Sequence, residues 1–280
     1  MASNPQFTFL AEYRDVFGPL SPHITDLDLK LVIGMFSMMI FSGITLFFLP
    51  ASYGKFNTSM DFLPILSMKI NWKWSFFLTE SPCMLGATVV TIYYWQHVDP
   101  LYLAFYGFYI LHYVHRTIIY PFFRVRSRTP STLIIAVMSL CFQGINGYLM
   151  SKFTLFFPFD PLTDSKIGLL YMGLCTAGLG AFFNILCDHQ LITLRKDDTD
   201  KNYYIPRGFL FSHVSCPNYL SEIIEWFGIF VAFPSWASAV FVFNCAANLV
   251  PRAFSTHKFY QKKYSDKYPS KRKAIIPFLF

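Results

Sequence analysis

The sequence predicts an all-α, polytopic membrane protein with seven transmembrane helices. Hydrophobic residues make up 54% and aromatic residues 20% of the 280 residues, while only 14% are charged. Average soluble chains carry about a quarter charged residues. The mean hydropathy of +0.39 means that apolar surface exceeds what a water-facing fold can hide. The same figures exclude disordered, coiled-coil and collagen-like chains.

The lengths of the apolar runs predict the individual spans. Crossing a hydrocarbon core about 30 Å thick takes about 20 helical residues. The five runs that meet this length are 31–49, 74–95, 101–123, 132–150 and 167–186. A sixth run, 219–250, is too long for one span and has Pro234 near its middle. Because proline interrupts helices, we divide this run into two short spans.

The distribution of basic residues predicts the orientation. Seven spans put the two termini on opposite sides of the membrane, and cytoplasmic segments carry an excess of Lys and Arg. With a cytoplasmic C-terminus, 19 of the 23 Lys and Arg residues lie on the cytoplasmic side. We therefore predict a polar N-terminal segment (1–30), a seven-helix membrane domain (31–250) and a basic cytoplasmic C-terminal segment (251–280).

Charge and cysteine content restrict the partners. The net charge of +7 is spread between apolar spans rather than over one face of a soluble fold, which argues against nucleic acid. Membrane lipids are the expected partner, with the basic cluster 258–273 near anionic headgroups. The six cysteines form no CxxC pair and most lie inside apolar runs, so we expect free thiols and no metal site.

Polar residues inside the spans are the candidate functional groups, because ionisable side chains are costly in a bilayer. Glu80 stands alone in the second span, and Tyr113, Arg116 and Tyr120 share one face of the third at i, i+3 and i+7. A carboxyl in a dry site tends to stay protonated, and a phenol is a hydrogen-bond donor. We interpret Glu80 and Tyr113 as two donors that could hold one carbonyl oxygen.

His112, His115 and Arg116 are interpreted differently. No third ligand at metal spacing accompanies the two histidines, so we expect them to be packing residues. Arg116 is expected to pair with an acidic neighbour. A cofactor role for Arg116 is the lesser alternative.

Two further polar stripes follow helical spacing toward the cytoplasmic end. Their members are Asn184, Asp188 and Arg195 on one helix and Asn218, Glu222 and Glu225 on the next. The glycine-rich signatures GxGxxG and GxxxxGK are absent, which excludes a Rossmann domain. A nucleotide could still bind through guanidinium and phenol groups. The residues suited to this are Arg195, Tyr203, Arg252, Tyr260 and the arginines within 124–128.

Several long motifs resemble the steroid 5α-reductase family. They are HYVHRTIIYP at 112–121, NILCDHQLITLRK at 184–196, YYIPRGFLFSHVSCPNYLSEIIEW at 203–226, PRAFSTHKFY at 251–260 and YPSKRKAIIPFLF at 268–280. The resemblance covers about residues 74–280, and the first 70 residues carry no recognisable motif.

The resemblance implies a membrane reductase that binds NADPH in a pocket open to the cytoplasm and reduces the Δ4 double bond of a 3-oxo steroid. The family's carbonyl-binding glutamate and tyrosine fall on Glu80 and Tyr113, as in the interpretation above. The segment 251–280 is expected to complete the cofactor site. We expect the protein in the endoplasmic reticulum membrane or, alternatively, in the mitochondrial inner membrane. The implied cofactor contacts are Asn184, Asp188, Arg195, Tyr203, Asn218, Glu222, Arg252 and Tyr260.

Two departures leave the substrate open. Thr79 stands where many relatives have Gln, and Ser255, Thr256 and His257 replace consecutive histidines. VSCPNY also resembles the enoyl-CoA branch, so a trans-2-enoyl-CoA reductase is one alternative. A reductase-like structural or nucleotide-binding subunit of a larger membrane complex is the other.

Overall fold

The computed structural model describes residues 21–48, 68–124, 131–157, 164–195, 200 and 202–279. Within these ranges the chain is almost entirely helical, which confirms the all-α prediction. The elements are α1 (Asp26–Phe48), β1 (Lys69–Ile70), α2 (Trp72–Tyr93), α3 (Pro100–Val114), a π-helix (His115–Arg124), β2 (Ser131–Thr132), α4 (Leu133–Leu155), α5 (Asp164–Thr193), α6 (Pro217–Ala232) and α7 (Trp236–Tyr264).

Five of these helices, α1, α2, α4, α5 and α7, are long and apolar enough to cross a membrane. Large apolar side chains point away from the protein along them, as Phe41 (75% exposed) and Phe48 (80%) do on α1. Lipid is the solvent that accounts for such exposure. The chain is therefore an all-α, multi-pass membrane protein. The two remaining predicted spans correspond to α3 with its π-helix and to the short helix α6.

The ends of the helices differ from the ends of the apolar runs where capping decides them. α1 begins at Asp26, ahead of the predicted span, because Thr25 and Asp28 bond each other's backbone N–H groups at its start. The long apolar run is interrupted at 233–235, where it was divided in the sequence. A capping box formed by Ser235 and Ser238 then begins α7. α7 continues through position 251 to Tyr264, so no helix boundary separates the membrane domain from the C-terminal segment. Residues 1–20 of the predicted N-terminal segment lie outside the described residues.

α5 and α6 pack with their backbones in close contact at Gly180. A Cβ atom there would lie 2.6 Å from Cα of Glu225 and 2.8 Å from the carbonyl oxygen of Ser221. Small residues at helix interfaces permit such an approach in membrane proteins. This packing brings the polar stripe of α5 beside the polar stripe of α6.

α2 and α4 make a similar contact at Gly147, where a Cβ would lie 2.7 Å from the carbonyl carbon of Cys83. The contact places polar residues of α4 against the face of α2 that carries Glu80. Asn146 donates to the sulfur of Cys83 over 3.2 Å, and Gln143 lies one turn earlier. β1 pairs antiparallel with β2, with Lys69 opposite Thr132, and so ties the start of α2 to the start of α4.

α1 is joined to α4 by a buried ion pair. Nζ of Lys152 lies 2.8 Å from Oδ2 of Asp28, and both side chains are almost fully buried. Tyr148 donates to the other carboxylate oxygen of Asp28 over 2.6 Å. The pair is a structural tie, which the sequence did not reveal because Asp28 was assigned to the polar N-terminal segment.

The C-terminal segment returns to the start of α6. Val214 and Lys273 form a parallel bridge, and the hydroxyl of Ser215 bonds Nδ1 of His257 and the hydroxyl of Tyr268, each over 2.6 Å. Burial raises the pKa of the Tyr268 phenol, so it stays neutral as a hydrogen-bonding group. The segment is therefore held against α6 and α7 by specific contacts.

Candidate active site

The centre of the polar cluster is Arg116 in the π-helix. One guanidinium nitrogen lies 3.8 Å from Oε1 of Glu80 on α2, and another lies 3.6 Å from Oδ2 of Asp188 on α5. The expected pairing of Arg116 with an acidic neighbour is confirmed, with two neighbours instead of one. Arg116 thus connects the helix that carries Glu80 with the α5 stripe.

The stripes of α5 and α6 interlock beside Arg116. Nδ2 of Asn218 donates to Oδ1 of Asp188 over 3.0 Å. Nδ2 of Asn184 donates to the backbone carbonyl of Asn218 over 2.9 Å and to Oε2 of Glu222 over 3.4 Å. Four residues that were predicted from two separate stripes therefore form one hydrogen-bonded network.

The polar side chains of this cluster are only partly buried. Arg116, Glu222 and Arg252 each retain accessible surface. The Glu80 and Arg116 side chains are 17% and 15% exposed. They are therefore accessible to a bound molecule.

Tyr113 is buried and is 1% exposed. Cys83, one turn from Glu80 on α2, contacts the hydroxyl of Tyr109, one turn from Tyr113 on α3, over 2.7 Å. The faces of α2 and α3 that carry Glu80 and Tyr113 therefore meet. Tyr113 also interacts electrostatically with both Cys83 and Glu80. Neither residue is turned toward lipid.

Two neighbours of these residues make polar contacts that were not predicted from the sequence. Nε2 of Gln143 on α4 donates to Oε2 of Glu80 over 3.1 Å. His112 packs against Trp226, as a packing residue should, but its Nδ1 also lies 2.5 Å from Oε1 of Glu225. Gln143 could have been noticed as an amide inside the fourth apolar run. Nothing in the sequence indicated which carboxylate His112 meets.

A second group of predicted residues lies beyond the N-terminal end of α6. The Arg195 guanidinium lies 5.6 Å from the centre of the Tyr203 ring. Tyr260 stacks on Tyr268, with ring centres 5.6 Å apart, and interacts electrostatically with Tyr203 and with Cys216, the residue before α6. Along α5, the stretch from Asn184 to the helix end is about 14 Å at 1.5 Å per residue. The predicted cofactor contacts thus form two groups. The inner group is Asn184, Asp188, Asn218 and Glu222, and the outer group is Arg195, Tyr203 and Tyr260.

Arg252 lies on α7. The next residue, Ala253, is buried in a cluster with Cys216 and Ile275, so α7 runs beside the start of α6 at this point. The ten predicted site residues thus lie on α2, α3, α5, α6, α7 and the segment between α5 and α6.

The two departures from the family pattern have local explanations. The Thr79 hydroxyl donates to the Phe76 carbonyl of its own helix over 3.0 Å. The amide that approaches Glu80 comes from Gln143 on α4. His257 bonds Ser215 and Gln261, so its ring anchors the C-terminal segment.

Comparison with known proteins decides the family. The family model described as 3-oxo-5-alpha-steroid 4-dehydrogenase matches residues 129–280, from before α4 to the end of the chain. The chain belongs to this family. It is thus a member of an oxidoreductase family that acts on CH–CH groups, and the resemblance seen in the motifs is confirmed.

Three relatives show the extent of the similarity to this steroid dehydrogenase family. The steroid 5-alpha-reductase DET2 of Arabidopsis thaliana is 36% identical over 253 residues, which cover 86% of this chain and 94% of the relative. The protein of the same name from Solanum lycopersicum is 39% identical, covering 83% and 89%. The human 3-oxo-5-alpha-steroid 4-dehydrogenase 1 is 40% identical over 175 residues, covering 61% and 65%.

Proposed function

We propose that this chain is an NADPH-dependent steroid 5α-reductase that reduces the Δ4 double bond of 3-oxo steroids. The observation that carries the proposal is the placement of Glu80 and Tyr113 on meeting faces of α2 and α3, beside the network of α5 and α6. The chain's membership of a steroid dehydrogenase family supports the substrate class. We assign the chain to the endoplasmic reticulum membrane, with the mitochondrial inner membrane as the alternative.

We further propose seven spans with a cytoplasmic C-terminus. α3 and the π-helix together cover residues 100–124, which is enough for a hydrocarbon core about 30 Å thick. α6 runs directly into the break at 233–235, and α7 crosses back. Both segments pack against helices that qualify as spans, which supports the same depth for them.

The residues of the inner and outer groups fit NADPH. Arg195 and Arg252 offer guanidinium groups suited to phosphates, and Tyr203 and Tyr260 offer aromatic faces and hydroxyls in the outer group. In the inner group, the amides and carboxylates of α5 and α6 suit the carboxamide of a nicotinamide. NADPH held by these residues would supply a hydride to the β-carbon of the enone.

The chain's own residues act on the ketone and on its surroundings. Tyr113 and Glu80 polarise the ketone, and Tyr113 does so by donating a hydrogen bond to its oxygen, which stabilises the negative charge that develops there. Gln143 and Arg116 orient the Glu80 carboxyl. Buried aromatic rings around Tyr113, including Trp226, exclude water from the reacting atoms. The resulting enolate then takes up a proton from solvent at its α-carbon, so that one hydride and one proton are added across the double bond.

Turnover with purified protein tests this assignment. NADPH oxidation is followed with a Δ4-3-ketosteroid and, separately, with a trans-2-enoyl-CoA. We expect oxidation with the ketosteroid. Oxidation with the enoyl-CoA alone would replace the substrate assignment, and binding of NADPH without turnover of any enone would contradict the enzymatic role.

Tyr113→Phe tests the role of the phenol. Because the hydroxyl acts chiefly when charge develops on the ketone, we expect kcat to fall by about 100-fold, with the Kd for NADPH changed by less than about twofold. Tyr106→Phe is the matched control, since the Tyr106 hydroxyl bonds Thr88 over 3.0 Å on the same pair of helices. It should retain kcat. Equal losses of kcat and cofactor affinity in Tyr113→Phe would contradict the role.

A further inference from the structure

His112 and Glu225 form a buried pair that the proposed chemistry does not use. Nδ1 of His112 on α3 lies 2.5 Å from Oε1 of Glu225 on α6, and the side chains are 9% and 1% exposed. The contact joins the helix that carries Tyr113 to the helix that carries Asn218 and Glu222. It therefore connects the proposed enone wall with the proposed cofactor wall.

The stability of the fold does not account for this pair. Oε2 of Glu225 is buried and has no hydrogen-bond partner among the described residues. A buried carboxylate with one oxygen unbonded is costly, and replacing a buried ion pair by apolar residues of similar volume is often neutral or stabilising. By contrast, the pair of Asp28 and Lys152 has several partners. Proteins keep such locally unfavourable arrangements mainly at functional sites.

The surroundings of the pair indicate what it does. The His112 ring meets the Tyr113 ring edge-on at a centroid distance of 5.0 Å and the Trp226 ring at 4.7 Å. Trp226 in turn lies 6.1 Å from Tyr113. The rings of His112, Tyr113 and Trp226 thus pack against one another. Glu225 binds the His112 ring, which is the one of the three that carries a charge when protonated. Moving the imidazole would release the Tyr113 ring on one side.

The other charged or titratable groups near the pair come from α6 itself and from three further elements. They are Arg116 in the π-helix, Glu222 on α6, Glu80 on α2 and Cys245 on α7. Arg116 interacts electrostatically with both His112 and Glu222. The pair is therefore in electrostatic contact with the proposed site.

We infer that His112 and Glu225 are positioning residues, which set the Tyr113 phenol relative to the cofactor-lining face of α6. Glu225 fixes the imidazole, and the imidazole and Trp226 fix the Tyr113 ring. This inference rests on the proposed function, because positioning has meaning only if Tyr113 binds the ketone. The pair acts as a unit, so the loss of either member removes the effect of the other.

The double variant His112→Phe with Glu225→Met separates positioning from stability. It fills similar volume with apolar groups and leaves no buried charge unpaired. We expect an unchanged or higher Tm, a Kd for NADPH within about twofold of wild type and a kcat about tenfold or more lower, because interacting groups couple on this scale. A double variant with wild-type kcat would overturn the inference.

Two single variants keep the test decisive if the double variant does not fold. Glu225→Gln retains an acceptor for the His112 Nδ1–H, whereas Glu225→Met does not. With kcat expressed per NADPH-binding site, we expect Glu225→Gln to stay within about threefold of wild type and Glu225→Met to lose about tenfold or more. Equal values for the two would overturn the inference.

Lys152→Met is the control for a buried ion pair without a positioning role. It should lower the Tm and leave kcat per NADPH-binding site unchanged, because Asp28 and Lys152 bind each other away from Tyr113. A loss of kcat in this variant equal to that in Glu225→Met would mean that any buried pair affects turnover, and would overturn the inference. Failure of the proposed function appears differently, as absence of enone turnover in the wild-type protein.

Discussion

Adding one methyl group at Gly180 tests whether the contact between α5 and α6 builds the site. The new Cβ of Gly180→Ala would lie 2.6 Å from Cα of Glu225 and 2.8 Å from the carbonyl oxygen of Ser221, whereas ordinary contacts begin at 3.4 Å. Neither atom can rotate away, because both belong to the α6 backbone. The backbone nitrogen of Glu225 would lie closer still to the new Cβ. α6 must therefore move away from α5 by at least about 0.8 Å, the difference between 3.4 and 2.6 Å.

This movement has consequences for stability and for the network beside it. Overpacking costs about 3 kcal/mol at a site this tight, offset by about 1 kcal/mol of helix propensity, so we expect a net loss of about 2 kcal/mol. The bonds from Asn184 to Asn218 and from Asn218 to Asp188, at 2.9 and 3.0 Å, would lengthen beyond hydrogen-bonding range. The Kd for NADPH should rise about tenfold, which corresponds to about 1.4 kcal/mol.

Thermal unfolding and NADPH titration in detergent measure both effects. Gly178→Ala is the matched control on the same helix, because no atom lies within 4 Å of the position of its Cβ. It should leave the Kd for NADPH unchanged and the stability unchanged or slightly higher. If Gly180→Ala behaved like Gly178→Ala in both measurements, the close contact would not position the network.

Two further variants test other contacts. Arg116→Met leaves Glu80 and Asp188 without their shared cation, so we expect a loss of about 3–5 kcal/mol of unfolding free energy, seen as a lower Tm. A Tm within error of wild type would refute that role. Ser215→Ala removes a buried hydroxyl with three partners on α7 and the C-terminal segment, at a cost of about 1–3 kcal/mol. Limited proteolysis should then cut the C-terminal segment faster, and an unchanged rate would show that other contacts hold it.

Much of the fold followed from the sequence because lipid imposes simple requirements. Hydropathy alone located the helices, and the break near Pro234 lies where a proline in a long apolar run predicts it. The exact helix ends did not follow, because they depend on capping groups such as Thr25 and Asp28 and on the extension of α7 to Tyr264. Hydropathy does not register these polar contacts.

Part of the candidate site also followed from the sequence. Helical spacing placed Asn184 with Asp188 and Asn218 with Glu222, and the scarcity of ionisable groups in the spans singled out Glu80. The partners did not follow. The hydrogen bond from Gln143 to Glu80 is an example. Gln143 lies on α4, and the position of α4 along α2 depends on the close contact at Gly147.

The sequence by itself determined that this protein lies in a lipid bilayer, where its helices are and on which helix faces its polar residues lie. Through long motifs it also determined the family. Only the tertiary structure decided which faces meet: Arg116 between two carboxylates, and His112 on Glu225. The physical reason is that the α-helical period relates residues within one helix, whereas contacts between helices depend on how closely two backbones approach. Small residues on both helices set that distance, so the sequence of one helix alone does not predict it.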